Sequence, residues 1–351
     1  DNDGRDLGIA CASTRSKIAL RLCGSWPGDE VPTIEQFLTQ RIERAIEMRK
    51  DRIEESSGQR LVHGEADQIP GLVIDRYADV LVVQATTILI DRSLSIVADI
   101  LERIFQPRMI LARNDLSIRK FERLPEEVVL LAGEPVERVN IEENGIQHIV
   151  RPYAGHKTGM YLDQQPARKR VKDLAAGARV LDLFSYQGGF SMAALGGGAT
   201  SVQMVDQSET ALELAQETAL LNHFGAPEMI KGNVFDVIRD LRDQQQYYDL
   251  VVLDPPAFCK SRREVEGGIR GYRDLNRGAL RLLAPGGRLV TCSCSHHLKA
   301  ELFEDTIRQA ALDLPFRVFV EQRLGSGRDH PALLRLPETE YLKVRILRRW
   351  D

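Results

Sequence analysis

The chain has 351 residues, 43 % hydrophobic and 28 % charged, with a formal net charge of −4. That length allows two domains, and the mildly acidic balance excludes a protein that holds a polyanion through its overall field, so any positive patch must be local. No run of about 18 apolar residues offers a membrane span, and 5 cysteines, odd in number and irregularly spaced, argue for a reducing cytoplasm rather than a disulfide framework.

In chain order, residues 1–24 read as short strand-like pieces such as "SKIALRL", without the apolar core of a signal peptide. "SWPGDEV" breaks the pattern at Pro27 and Gly28. Over 33–54, Ile34, Phe37, Leu38, Ile42 and Ile46 recur at helical spacing and predict an amphipathic helix. "GLVIDRYADVLVVQAT" predicts a hairpin, followed by a helix over about 93–104 and a strand at "RMILAR". "RVNIEENGIQHIVRP" predicts a second hairpin turning at Asn144-Gly145, so residues 60–150 read as a small α+β module. From about 178, strands ("ARVLDLF", "SVQMVD", "YDLVVLD", "GRLVTCS") alternate with helical segments. This predicts a parallel sheet covered on both faces, closed by "FRVFVEQ" and "EYLKVRIL" as an antiparallel edge.

Strand ends carry the chemistry. In "VLDLFSYQGGFS" (180–191) a strand runs into a turn where Gly188 and Gly189 allow close backbone approach, although the Gly-x-Gly-x-x-Gly fingerprint is absent. About 20 residues on, Asp206 ends the next strand, placed to accept from the two hydroxyls of a ribose; a solvent-facing acid after an ordinary turn is the plainer alternative. "KGNVFD" offers Asn233 where an adenine amino group could be read. "VVLDPPAF" delivers Asp254, and two prolines stiffen the exit from the sheet. In "TCSCSHHL" (291–298), Cys292 and Cys294 share a strand face, with Cys294 about 6.6 Å nearer the carboxyl end at ~3.3 Å per residue. Cys294 is therefore the candidate for reaction and Cys292 for the core. Cys292, Cys294, His296 and His297 are too closely spaced to surround one tetrahedral metal ion. "GHKTG" (155–159) lacks the spacing of a phosphate-binding loop. Between 257 and 281, Lys260, Arg262, Arg263, Arg270, Arg273, Arg277 and Arg281 face only three acids, a net charge of +4. Arg168, Lys169, Arg170 and Lys172 form a second basic cluster; a solvated helix face is the plain alternative to an approach path for an anionic substrate.

With these motifs in order, the chain from about residue 36 to its end resembles the bacterial 23S ribosomal RNA cytosine-C5 methyltransferases of the large-subunit methyltransferase I family. The resemblance rests on "PGLVIDRY", "GHKTGMYLDQ", "VLDLFSYQGGFS", "DPPAF", "TCSCSHHL" and the late "DHP…PETEYLK". It implies an α/β protein with a seven-stranded class I methyltransferase (Rossmann-like) sheet, using S-adenosylmethionine and yielding S-adenosylhomocysteine. The implied organisation is a partial PUA-like segment over 1–27, a linker helix over 28–60, a small α+β domain over 61–152 and a methyltransferase domain over 153–351. The ~25 residues before the helix resemble only the closing strands of a PUA β-barrel, through truncation or loss. The resemblance puts the cofactor near Asp182, Ser185, Gly188 and Asp206, with Asn233 by the adenine and Lys157, Tyr161 and Gln164 at its outer edge. Asn233 stands where the family often carries Asp. The resemblance makes Cys294 the nucleophile and sets Asp254 between cofactor and base; Cys259 is a departure whose role stays open. Lys260, Arg262, Arg263, Arg270, Arg273, Arg168 and Lys169 are the expected contacts to 23S ribosomal RNA, in a cytoplasmic protein without a membrane partner; a homodimer stays open. Guanine N-methylation by the same fold, a small-molecule or protein methyltransferase, and a non-catalytic RNA-binding scaffold remain as alternatives.

Overall fold

A computed structural model describes residues 8–26, 30–53, 56–259 and 261–351. Residues 1–7 and 27 of the expected N-terminal segment lie outside them. The chain divides into two units, residues 1–162 with 328–339, and residues 163–327 with 340–351.

The first unit opens with two short antiparallel strands, β1 (Ala10–Ala12) and β2 (Leu20–Leu22). Helix α1 (Ile34–Glu47) begins at a reciprocal cap: the Thr33 hydroxyl accepts from the Gln36 N–H at 3.2 Å, and the Gln36 side chain accepts from the Thr33 N–H at 2.9 Å. Its apolar stripe of Phe37, Leu38 and Ile42 is buried, as the periodicity requires. After a single turn, α2 (Lys50–Ile53), come β3 (Gly58–His63), β4 (Leu72–Tyr77) and β5 (Val80–Ala85). The helices α3 (Ile88–Arg92) and α4 (Leu94–Phe105) cross over to β6 (Met109–Arg113), parallel to β5, and β7 (Val128–Gly133) closes a sheet of order β3-β4-β5-β6-β7. β8 (Val139–Glu143) and β9 (Ile146–Val150) form the second hairpin; Asn144 and Gly145 both adopt positive φ, 53° and 76°, which a two-residue hairpin turn demands.

Buried charge ties distant motifs of this unit together. Arg60 on β3 donates twice to Asp75 on β4, each at 2.8 Å. The Thr158 hydroxyl of "GHKTG" donates to the same carboxylate at 2.5 Å and lies 2.8 Å from the Tyr77 hydroxyl. Residues 328–339 return to this unit, where the Asp329 carboxylate accepts from the Arg60 N–H at 3.0 Å and its carbonyl from Arg49 at 3.0 Å. "GLVIDRY", "GHKTG" and "DHP" thus meet in one ionic network.

The second unit alternates helix and strand: α5 (Gln165–Leu174), β10 (Arg179–Leu183), α6 (Gly189–Gly196), β11 (Ser201–Asp206), α7 (Glu209–Leu221), β12 (Glu228–Lys231), α8 (Val234–Asp243), β13 (Tyr248–Leu253), α9 (Val265–Arg281), β14 (Leu283–Ser293), α10 (Ala300–Ala311), β15 (Arg317–Leu324) and β16 (Lys343–Trp350). The seven strands order as β12-β11-β10-β13-β14-β16-β15. The first five are parallel, and β16 pairs antiparallel with both β14 and β15, the antiparallel edge expected from the sequence. From β10 the chain moves outward to β11 and β12, then crosses back to β13. The order therefore reverses between β10 and β13, and a crevice at such a reversal is where open α/β sheets bind ligands.

Replacing Asp75 with Ala leaves the buried Arg60 guanidinium without its carboxylate. The expected loss of about 3–5 kcal/mol is read as a fall in the urea midpoint of the first unit; an unchanged midpoint contradicts this account of the network.

Candidate active site

The residues singled out at strand ends assemble on the carboxyl edge of the second sheet. After β10 the backbone turns sharply: Phe184, Tyr186 and Gly188 all take positive φ, 63°, 49° and 74°. For two aromatic residues this is strained backbone, which surrounding structure must hold. Asp206, ending β11, supplies that hold. One carboxylate oxygen accepts from the Tyr186 N–H at 2.8 Å and the other from the Ser208 N–H at 2.8 Å. Each oxygen keeps acceptor capacity for a ribose hydroxyl. A Cβ on Gly188 would lie 2.9 Å from Met204 Cε and 3.0 Å from Ala215 Cβ, so both the turn and the packing need glycine there.

Asp182 is fully buried under this turn. One oxygen accepts from the Ser191 hydroxyl at 2.6 Å, and burial pushes its carboxyl up to about 7. Its Oδ1, the Ser185 Oγ and the Gln164 Oε1 are buried without a hydrogen-bond partner among the described residues. Unpaired buried polar atoms are unfavourable, and three on one sheet edge fit a polar ligand that would satisfy them. Gln164 also donates to Asp254 Oδ2 at 3.0 Å. Asp254 follows β13, where Leu253 is in register with Thr291 of β14. That register sets Asp254 level with Cys292.

The two cysteines part company here. Cys292 is 0 % exposed, and burial, with the Asp254 charge adding to it, pushes its thiol well up. β14 stops at Ser293, so Cys294 stands past the strand end, half-buried, while the other four cysteines are buried. Its neighbours are pinned: the Tyr272 hydroxyl on α9 lies 3.1 Å from both Ser293 Oγ and Ser295 Oγ. Cys259 turns to α9, where a Cβ on Gly268 would fall 2.3 Å from its sulfur, and its N–H donates to Ser295 Oγ at 3.2 Å. It packs in the hydrophobic core.

Asn233 caps α8, its side-chain oxygen accepting from the Phe235 N–H at 2.9 Å. Lys157 and Tyr161 belong to the first unit, where the ammonium lies 4.4 Å above the ring. Arg168 is a correction: it is 3 % exposed, its stem against Gly189, so the amphipathic α5 turns it inward and Lys169 outward. Arg263, Arg270 and Arg273 are exposed, and Arg270, Arg273, Arg277 and Arg281 follow one stripe of α9 opposite buried Tyr272, Leu275 and Leu280. Lys260 and the Arg262 side chain lie outside the described residues. Sequence reading missed Ser191, Tyr272, Ser293, Ser295 and Lys343. The alternation of serine with cysteine in "TCSCS" is the one visible signal for Ser293 and Ser295.

A doubly wound sheet with acidic strand ends around a strained glycine turn defines an enzyme that takes a nucleoside cofactor at its carboxyl edge. Known proteins narrow the class. The model of the S-adenosylmethionine-dependent methyltransferase family matches residues 59–333. "Ribosomal RNA large subunit methyltransferase I" of Aeromonas salmonicida is 39 % identical over 353 residues, covering 99 % of this chain and 88 % of that protein. Its Vibrio cholerae namesake is 38 % identical, covering 97 % and 87 %. A protein described as a SAM-dependent methyltransferase from Streptococcus mutans shares the fold, with TM-score 0.84 and 22 % identity over 97 % of this chain and 88 % of its own. A second chain, described as a methyltransferase and solved with SAH, gives TM-score 0.85 at 23 % identity, with the same two coverages of 97 % and 88 %. The chain belongs to the S-adenosylmethionine-dependent methyltransferase family.

The raised carboxyl of Asp182 has a stability consequence. Its folded value, about 7, lies above the ordinary 3.8, so folding favours the neutral acid. Asp182 thus contributes stability below the ordinary value, and that contribution is lost as pH rises to about 7. Asp182→Asn should therefore gain on the wild type between pH 4 and 7 in urea midpoint and hold a constant difference above; parallel curves throughout would contradict the burial argument.

Proposed function

We propose that the protein methylates C5 of a cytosine in 23S ribosomal RNA through a covalent bond between Cys294 and C6 of the base. Ribosomal RNA as substrate follows from the relatives' names, at 38–39 % identity over nearly the whole chain. The observation that carries cytosine is the contrast on β14 between Cys292, buried and held as a thiol, and Cys294, half-buried past the strand end.

When bound, S-adenosylmethionine supplies an electrophilic methyl group. Asp182, Ser185, Gly188, Gln164 and Asp206 would hold the cofactor, and Asn233 would meet the adenine. With its oxygen committed to the α8 cap, Asn233 offers its amide hydrogens, which suit a ring nitrogen better than an amino group.

Cytosine C5 is a poor nucleophile until a thiolate adds to C6. Cys294 makes that bond, and the electron pair moves toward C5. Asp254, anchored by Gln164, holds the N3/N4 edge. After C5 has been methylated, transfer of its proton to water returns the electron pair, breaks the S–C6 bond and frees the thiolate. The base must first leave its stack, and the exposed stripe of Arg270 and Arg273, with Arg263 and Lys169, suits the phosphates around it.

Cys294→Ala should reduce methyl transfer by at least about a thousandfold while calorimetric S-adenosylhomocysteine binding stays near wild type. Mass analysis of the product nucleoside should give 5-methylcytidine. An N-methylated guanosine, or normal turnover by the variant, overturns the reading.

A further inference from the structure

Lys343 opens β16 and stands in register opposite Ser293. It is 6 % exposed, and its ammonium donates to the carbonyls of Ser295 and Tyr341, each at 2.7 Å. An ammonium has three donors, and two are so used. Among the described residues no carboxylate forms an ion pair with it, whereas Arg345, two positions on, is paired with Glu304 at 2.7 Å. A buried positive charge held only by neutral carbonyls is strongly unfavourable without an anion nearby.

The charged or titratable groups that act on Lys343 include Cys294, Arg345, Cys259 and Glu340, and of these that can become negative Cys294 acts most strongly. One of the two carbonyls that hold the ammonium belongs to Ser295, the residue directly after Cys294. The Tyr272 hydroxyl grips the serines on both sides of that cysteine. Cys259 competes for the same cation, but it is 1 % exposed and faces α9, and burial pushes its thiol up.

We infer that Lys343 is the counter-cation of a Cys294 thiolate, a positioning residue that keeps the nucleophile ionised before the base arrives. This rests on the proposed role of Cys294. Burial draws the ammonium itself down to about 8, and a negative Cys294 opposes that pull, so cation and thiolate stabilise one another. Tyr272 and Cys292 also feel Cys294, and burial pushes both of them up.

The test is the pH profile of Cys294 alkylation by iodoacetamide in the full chain without RNA, read by peptide mass spectrometry. The thiolate displaces iodide, so the rate follows its population. The wild-type midpoint should lie at least about one unit below the ordinary thiol value of ~8.5. Lys343→Met should raise it and slow alkylation at pH 7 about tenfold, with the alkaline plateau unchanged, while Lys343→Arg keeps the wild-type profile. A wild-type profile in Lys343→Met, or a wild-type midpoint at or above the ordinary value, overturns the inference. If Lys343→Met does not fold by circular dichroism, the wild-type midpoint decides. An unshifted midpoint beside Cys294-dependent 5-methylcytidine sinks the lysine's role alone; a shifted midpoint beside an N-methylated guanosine sinks the cytosine reading alone.

Discussion

Five parallel strands end on one edge, and there each backbone runs out of ladder partners. Everything chemical in the second unit depends on that constraint. Because the order reverses between β10 and β13, this edge is where an open α/β sheet binds a ligand, and Asp182, Asp206 and Asp254 stand along it. The side-chain oxygens Asp182 Oδ1 and Ser185 Oγ are buried there without a hydrogen-bond partner among the described residues. The strain at Phe184 and Tyr186 belongs to the same place, held by two backbone N–H bonds to one carboxylate.

The antiparallel strand β16 adds what a purely parallel sheet lacks. Running against β14, it brings its first residue to the carboxyl end of its neighbour, so Lys343 arrives beside Ser293. A parallel strand in that place would deliver its first residue to the opposite edge. The edge strands close the sheet and also carry a cation to the site. In the first unit, buried Arg49 and Arg60 are matched by Asp67 and Asp75, which holds separate chain segments together.

Much of this was legible in the residues. Periodicity located the sheet, its antiparallel edge and the Asn144-Gly145 turn, because apolar spacing and hairpin chemistry are local properties. The strand-end acids were visible for the same reason. What stayed hidden depends on long-range pairing or on which side a residue faces. Ser191 matters only because it reaches Asp182, and Lys343 only because β16 lies beside β14. Arg168 looked like surface charge, since a basic run does not say which member turns inward. Asn233 carried a capping duty that a strand-end reading does not foresee.

The proposed reaction turns on a covalent bond to Cys294, and trapping that bond is its sharpest test. Fluorine at C5 cannot leave as a proton, so an RNA substrate containing 5-fluorocytidine at the target should remain attached after methylation. Intact-mass and peptide analysis should find the adduct on Cys294, with none on Cys292 or Cys259 and none in Cys294→Ala. Methylation of the natural RNA without any trapped adduct on the fluorinated one would contradict it.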